Sequence, residues 1–158
     1  MKNTCFLLAT VGLSLMLTVS VAQPSVSMLT AYYGVKDALV ASSVTNATAQ
    51  AAKLVTALET MPTTKLAAAT KKALATARTQ AVALSKTTDL DTQREAFEGL
   101  SASMIALAKA TKPEKAYVQF CPMAAEGKGA SWLSNTREIR NPYYGSKMLK
   151  CGSVNEEI

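Results

Sequence analysis

The sequence predicts a mainly α protein: an antiparallel bundle of about four helices over residues 25–112, then a small β-containing lobe over residues 113–158 that carries a Cys/Met motif. Two observations predict it. Up to Pro113 the chain is rich in Ala, Leu, Thr and Lys, and its larger apolar residues recur at the spacing of an amphipathic helix. Beyond Pro113, glycine, proline and aromatic residues arrive together, with short runs of strand-like alternation.

The first segment is of another kind. Lys2 precedes an apolar run from Phe6 to Val19, and Ser20-Val21-Ala22 sets small residues where a signal peptidase reads, with Gln23-Pro24 beyond. The run is short for a spanning helix of ~20 apolar residues, and no basic stop-transfer cluster follows it. Residues 1–22 are therefore expected to be a cleaved signal peptide. The mature chain, residues 23–158, is expected to be a single domain in the periplasm with no membrane anchor. Cys5 lies before the apolar run and leaves with it, so it is not a lipidated cysteine.

The helices follow in order. Leu29, Tyr33, Leu39 and Val40 share a face, which predicts a helix over about 26–41. Ser42 and Ser43 are candidate caps for a second helix with the stripe Ala47, Ala51, Leu54, Leu58 and Met61, stopped by Pro62. Thr63 or Thr64 caps a third, carrying Leu66, Ala69, Ala73, Leu74, Ala77, Ala81 and Leu84. Asp89 or Asp91 caps a fourth, with Phe97, Leu100, Met104 and Leu107, ending before Pro113. Met28, Met61 and Met104 fall on or beside these stripes and read as core. Asn46-Ala47-Thr48 matches a glycosylation acceptor but sits inside a predicted helix and is discounted.

In the lobe, Tyr117-Val118-Gln119-Phe120-Cys121 alternates as a strand, and Ala130-Ser131-Trp132-Leu133 reads as a second, with Gly127 and Gly129 in the turn between them. Asn141-Pro142 predicts the start of a short helix through Tyr143, Tyr144 and Met148, and Gly152 permits a sharp exit.

Composition excludes several functions. Without the leader's Lys2 the chain keeps 16 Lys and Arg against 11 Asp and Glu, a net charge of +5. The basic residues are dispersed rather than concentrated with aromatics, so the charge serves solubility and no nucleic-acid partner is expected. The chain has no histidine, which removes Ser-His-Asp and Cys-His nucleophile systems and histidine zinc sites. With no phosphate-binding glycine pattern and no concentrated carboxylate pair, no enzyme activity is expected. Glu126 and Glu138 near the sulfur residues read as solvated.

The residues that carry chemistry are Cys121-Pro122-Met123 and Met148-Leu149-Lys150-Cys151-Gly152. On an extended segment Cys121 and Met123 project to one side, and on a helical turn Met148 and Cys151 share a face. If the two segments meet, four sulfur donors converge, a set suited to a soft ion and above all Cu(I). Three readings of the cysteine pair stay open on these grounds: a structural disulfide, a redox pair and a metal site. The redox reading lacks the close spacing of a Cys-x-x-Cys motif. Trp132 is either an aromatic shield for a bound cation or core filling, and Tyr143 and Tyr144 either seal the site or only pack.

The order Tyr117-Val-Gln-Phe-Cys-Pro-Met-Ala124, Gly129-Ala-Ser-Trp-Leu-Ser134, Ile139-Arg-Asn-Pro-Tyr-Tyr-Gly145 and Met148-Leu-Lys-Cys-Gly152 resembles the signature of domain-of-unknown-function family 3347. That family occurs in exported Bacteroidota-type proteins and is similar to a domain fused to CusB-like membrane fusion proteins of heavy-metal efflux pumps. The resemblance implies a periplasmic protein that binds copper or another heavy metal, and the soft sulfur donors favour Cu(I) over Cu(II). It would sequester the ion or hand it to an efflux-pump membrane fusion protein. The ligands it implies fall on Cys121, Met123, Met148 and Cys151. The rival expectation is a metal-free envelope binding or structural module held by a Cys121–Cys151 disulfide.

Overall fold

Each helix forms because one of its faces is apolar and finds another helix to cover it. The computed structural model describes residues 24–158, so the signal peptide expected over residues 1–22 lies outside the described residues. The elements are α1 (Pro24–Val40), α2 (Val44–Glu59), α3 (Ala68–Lys86), α4 (Leu90–Thr111), β1 (Tyr117–Cys121), β2 (Ala130–Ser134), a 3₁₀ turn at Gly145–Met148 and β3 (Ser153–Glu157). α1 packs on α2, α2 on α3 and α3 on α4, the sequential packing that short connections impose on a bundle. The predicted stripes are buried at Leu29 and Leu39 in α1, Leu54 and Leu58 in α2, Leu74 and Leu84 in α3, and Phe97 and Leu107 in α4. Met28, Met61 and Met104 are buried with them, in the core role expected. Among the described residues no helix is long and apolar enough to cross a membrane.

The ends of the helices differ from expectation in two places. Neither Thr63 nor Thr64 caps α3, which begins at Ala68 after Ala67; Leu66 precedes the helix and Ala69 is exposed. Ser43 holds the cap position of α2 with no side-chain bond, while Ser42 takes a left-handed φ of 53° and its Oγ accepts from Arg94 Nη2 at 3.1 Å. Asp89 caps α4 as expected, accepting from the Thr92 N–H at 2.8 Å. Those bonds from Thr92, its hydroxyl first and its amide next, hold the Asp89 carboxyl below its ordinary pKa.

The lobe is a three-stranded antiparallel sheet in the order β2-β1-β3. The third strand begins two residues past Cys151, for which the sequence leaves open the helix end or a next strand. β3 is largely exposed and polar, so it carries no alternating apolar pattern, and it is held by main-chain pairing with β1. Opposed residues share a face, so Gln119, Trp132 and Val154 lie together, and Cys121 lies with Ala130.

Four rings join bundle and lobe. Tyr32 of α1 stacks on Phe97 of α4 at 5.3 Å, Phe97 meets Tyr143 at 5.8 Å, and Tyr143 stands edge-on to Trp132 at 6.0 Å. The Tyr32 hydroxyl adds the polar link, 2.8 Å from Ser101 Oγ and accepting from the Leu133 N–H at 3.1 Å. Arg94 of α4 closes the joint, donating from Nε to the Pro142 carbonyl at 3.1 Å and from Nη2 to the Leu39 carbonyl near the end of α1 at 3.4 Å.

Candidate metal centre

The sulfur residues sit where the two ends of the lobe segment return to one place. β1 runs out at Cys121, and β3 pairs antiparallel with β1 so that Phe120 opposes Ser153. The next rung outward brings Gly152 against β1 at Cys121, and Cys151 follows. The approach is close: an ideal Cβ on Gly152 would lie 2.7 Å from the Phe120 carbonyl oxygen and 3.0 Å from Trp132 Cη2. Only a glycine fits there, and its φ of +136° is one that other residues rarely adopt.

Local bonds fix both sulfur segments. After Cys121 the chain turns, with the Ala124 N–H donating to the Cys121 carbonyl at 3.4 Å and the Gly129 N–H to the Ala124 carbonyl at 2.9 Å. The Tyr144 hydroxyl donates to the Met123 carbonyl and pins the turn from outside. In the second segment the Asn141 N–H donates to the Leu149 carbonyl at 2.9 Å and its Nδ2 to the Cys151 carbonyl at 3.1 Å. Asn141 Oδ1 also accepts from the Tyr143 N–H at 2.8 Å, and the Gly145 N–H reaches the Asn141 carbonyl at 3.0 Å. The helix expected from Asn141 is therefore one hydrogen-bonded turn followed by the 3₁₀ turn Gly145–Met148. The Cys151 N–H closes on the Met148 carbonyl at 3.0 Å, so a three-residue turn joins Met148 to Cys151.

Both cysteines are free thiols, Cys121 buried and Cys151 half-buried. The return of the chain brings them near one another. The Cys121 thiol is the main cause that pushes the Cys151 pKa up, and the Met123 main chain, beside the Cys151 sulfur, opposes it. Cys121, Cys151 and the Met123 backbone are thus brought together. Pro122 and Met123 belong to a turn and not to an extended segment, so the alternation of a strand does not place the thioether. The Met123 side chain is 53 % exposed, the one exposed large hydrophobic among the described residues, and Met148 is half-buried.

Of the remaining candidates, Trp132 is fully buried and packs edge-on to Tyr143, which is the core role. Tyr143 donates to the Ser131 carbonyl at 2.7 Å, and Tyr144 clamps the Met123 turn. The tie that Asn141 makes between the two ends of its segment was not foreseen, although an Asx residue before proline was its signal. A cleft of about 550 Å³ lies beside the lobe, lined by Arg94, Glu95, Glu98, Glu126 and Tyr144 among others, with none of the sulfur residues. Among the described residues no group of three or more His, Cys, Asp and Glu comes together that could hold a metal ion.

Fold and site define a helical-bundle protein with a small antiparallel lobe that sets two free thiols side by side. The chain belongs to the family described as Protein of unknown function (DUF3347), which matches residues 28–116, more than half of its length. The matched span takes in most of α1 and all of α2 to α4 and stops just before β1, so the Cys/Met segments lie beyond it. No curated protein and no solved structure matches the chain.

Proposed function

We propose that this protein binds a soft metal ion outside the cytoplasm, copper as Cu(I) rather than Cu(II), and either sequesters it or passes it to a heavy-metal efflux assembly. The observation that carries the reading is the nearness of the Cys121 and Cys151 thiols, both free, with Met123 exposed in the turn that follows Cys121. Thiolates and thioethers are soft donors, the chain has no histidine, and Met28, Met61 and Met104 are buried in the bundle core. Cys121, Met123, Met148 and Cys151 would hold the ion. Binding would displace the thiol protons, so affinity rises with pH.

Transfer would proceed by ligand exchange. Met123 is the most exposed of the four residues and gives an incoming thiol or thioether a place to enter. Cys121 is buried at the end of a strand and would let go last. A membrane fusion protein of an efflux pump is the partner this hand-over calls for.

The test is the pair Met123→Leu and Met148→Leu. Leucine matches methionine in volume, so the double variant should lose less than about 1.5 kcal/mol of stability. It should bind Cu(I) more weakly in competition with a chelator. Unchanged Cu(I) affinity would remove both thioethers from the site.

A further inference from the structure

Proximity of two thiols suits an S–S bond as well as a metal. We propose that Cys121 and Cys151 form a reversible disulfide that gates the sulfur site: the reduced pair takes the metal and the oxidised pair excludes it. The gate rests on the reading of these thiols as soft-metal ligands.

The ladder supplies the geometry. Phe120 opposes Ser153, so Cys151, two residues before β3, comes up beside the end of β1 at Cys121. A disulfide requires Cα atoms about 4.4–6.8 Å apart, which is the order of the ~4.8 Å between adjacent chains in a sheet. The close approach of Gly152 to the Phe120 carbonyl keeps the two segments together, and Asn141 Nδ2 holds the Cys151 carbonyl from the other side. Both sulfurs are free, and they differ in access: Cys121 is fully buried while Cys151 is partly open.

That difference orders the chemistry. The oxidant is a disulfide, either of a small thiol or of a thiol oxidoreductase. Cys151 Sγ attacks one of its sulfurs to form a mixed disulfide, and the other sulfur leaves with the first proton as a thiol. Cys121 Sγ then attacks Cys151 Sγ, and the second thiol leaves with the second proton. Two protein thiols are oxidised by two electrons, and one external disulfide is reduced to two thiols. The product retains only the thioethers of Met123 and Met148, too few donors to hold the ion against a competing chelator.

The experiment uses the full chain, reduced and kept anaerobic, with glutathione disulfide as oxidant and Cu(I) as the probe metal. Glutathione disulfide should yield a protein lighter by two hydrogens, without reactive thiols and without Cu(I) binding, and a dithiol reductant should restore both. Cys121→Ser should trap a glutathione adduct on Cys151, and Cys151→Ser should react about tenfold more slowly through its buried thiol. Cu(I) bound beforehand should protect the wild-type pair. Failure of the reduced protein to bind Cu(I) would overturn the metal reading and the gate with it. Cu(I) binding by a reduced protein that glutathione disulfide cannot oxidise, or equal binding by the oxidised form, would overturn the gate alone.

Discussion

Replacing Gly152 by alanine should separate the two sulfur segments without unfolding the bundle. The added Cβ would stand 2.7 Å from the Phe120 carbonyl oxygen, a main-chain atom of β1 that cannot rotate aside as a side chain would. It would also press on Trp132 Cη2 at 3.0 Å, and Trp132 is fully buried against Tyr143. The segment carrying Cys151 must therefore retreat from Cys121. The φ of +136° adds a penalty, since backbone strain of this kind costs about 1–3 kcal/mol for a residue with a side chain. A loss of about 2 kcal/mol lowers the Tm of a chain this size by roughly 4–8 °C. Thermal unfolding followed by circular dichroism measures the loss, and thiol titration after mild oxidation measures the separation. Helical signal should persist below the transition, while disulfide formation and Cu(I) affinity both fall. An alanine variant with wild-type Tm and wild-type thiol behaviour would refute the close approach of Gly152 to β1.

Tyr32→Phe should destabilise the protein by about 1–3 kcal/mol, because it leaves the Leu133 N–H without its buried acceptor and Ser101 without its partner; chemical denaturation checks it, and an unchanged midpoint would count against the polar link between bundle and lobe. Asp89→Ala should lower the Tm near neutral pH. The Asp89 pKa is depressed in the folded state, so its stabilisation is present above the unfolded carboxylate value of about 3.9 and is lost as pH falls through the folded value. Wild type and variant should therefore converge in acid, and a gap that persists there would show that the cap acts through something other than the carboxylate. Export should leave a chain that starts at Gln23, which intact mass from the envelope fraction reads directly; a mass retaining residues 1–22 would contradict the expected signal peptide.

The helices were legible because each has one face to bury, and Leu54, Leu58, Leu100 and Leu107 report that face at a regular period. The start of α3 was misread because the stretch before it obeys the local rules for a cap while its alanines carry little information about burial. Ala69 suits either a buried or an exposed position, and it is exposed. The extent of β3 was illegible for a related reason: Ser153-Val154-Asn155-Glu156-Glu157 lies at a sheet edge, held by backbone pairing and by ion pairs from Glu156 to Lys109 and from Glu157 to Lys115 and Arg137 rather than by an apolar face.

The site shows the same division. The turn that joins Met148 to Cys151 could be read from their spacing. The place of Met123 could not, because Pro122 ends the strand and takes the chain out of the alternation that the reading assumed. That Cys121 and Cys151 come near one another depends on β3 pairing with β1, a contact between residues far apart in sequence that no local pattern records.

The central claim is that the thiol pair is a Cu(I) site, and one titration tests it most directly. Reduced, metal-free protein is titrated anaerobically with Cu(I) against a chromophoric chelator, and alkylation counts the free thiols before and after. We expect the protein to withdraw Cu(I) from the chelator, Cys121 and Cys151 to become resistant to alkylation together, and the variant with both replaced by serine to withdraw none. Chelator that keeps all its Cu(I), with both thiols as reactive after the titration as before it, would contradict the claim.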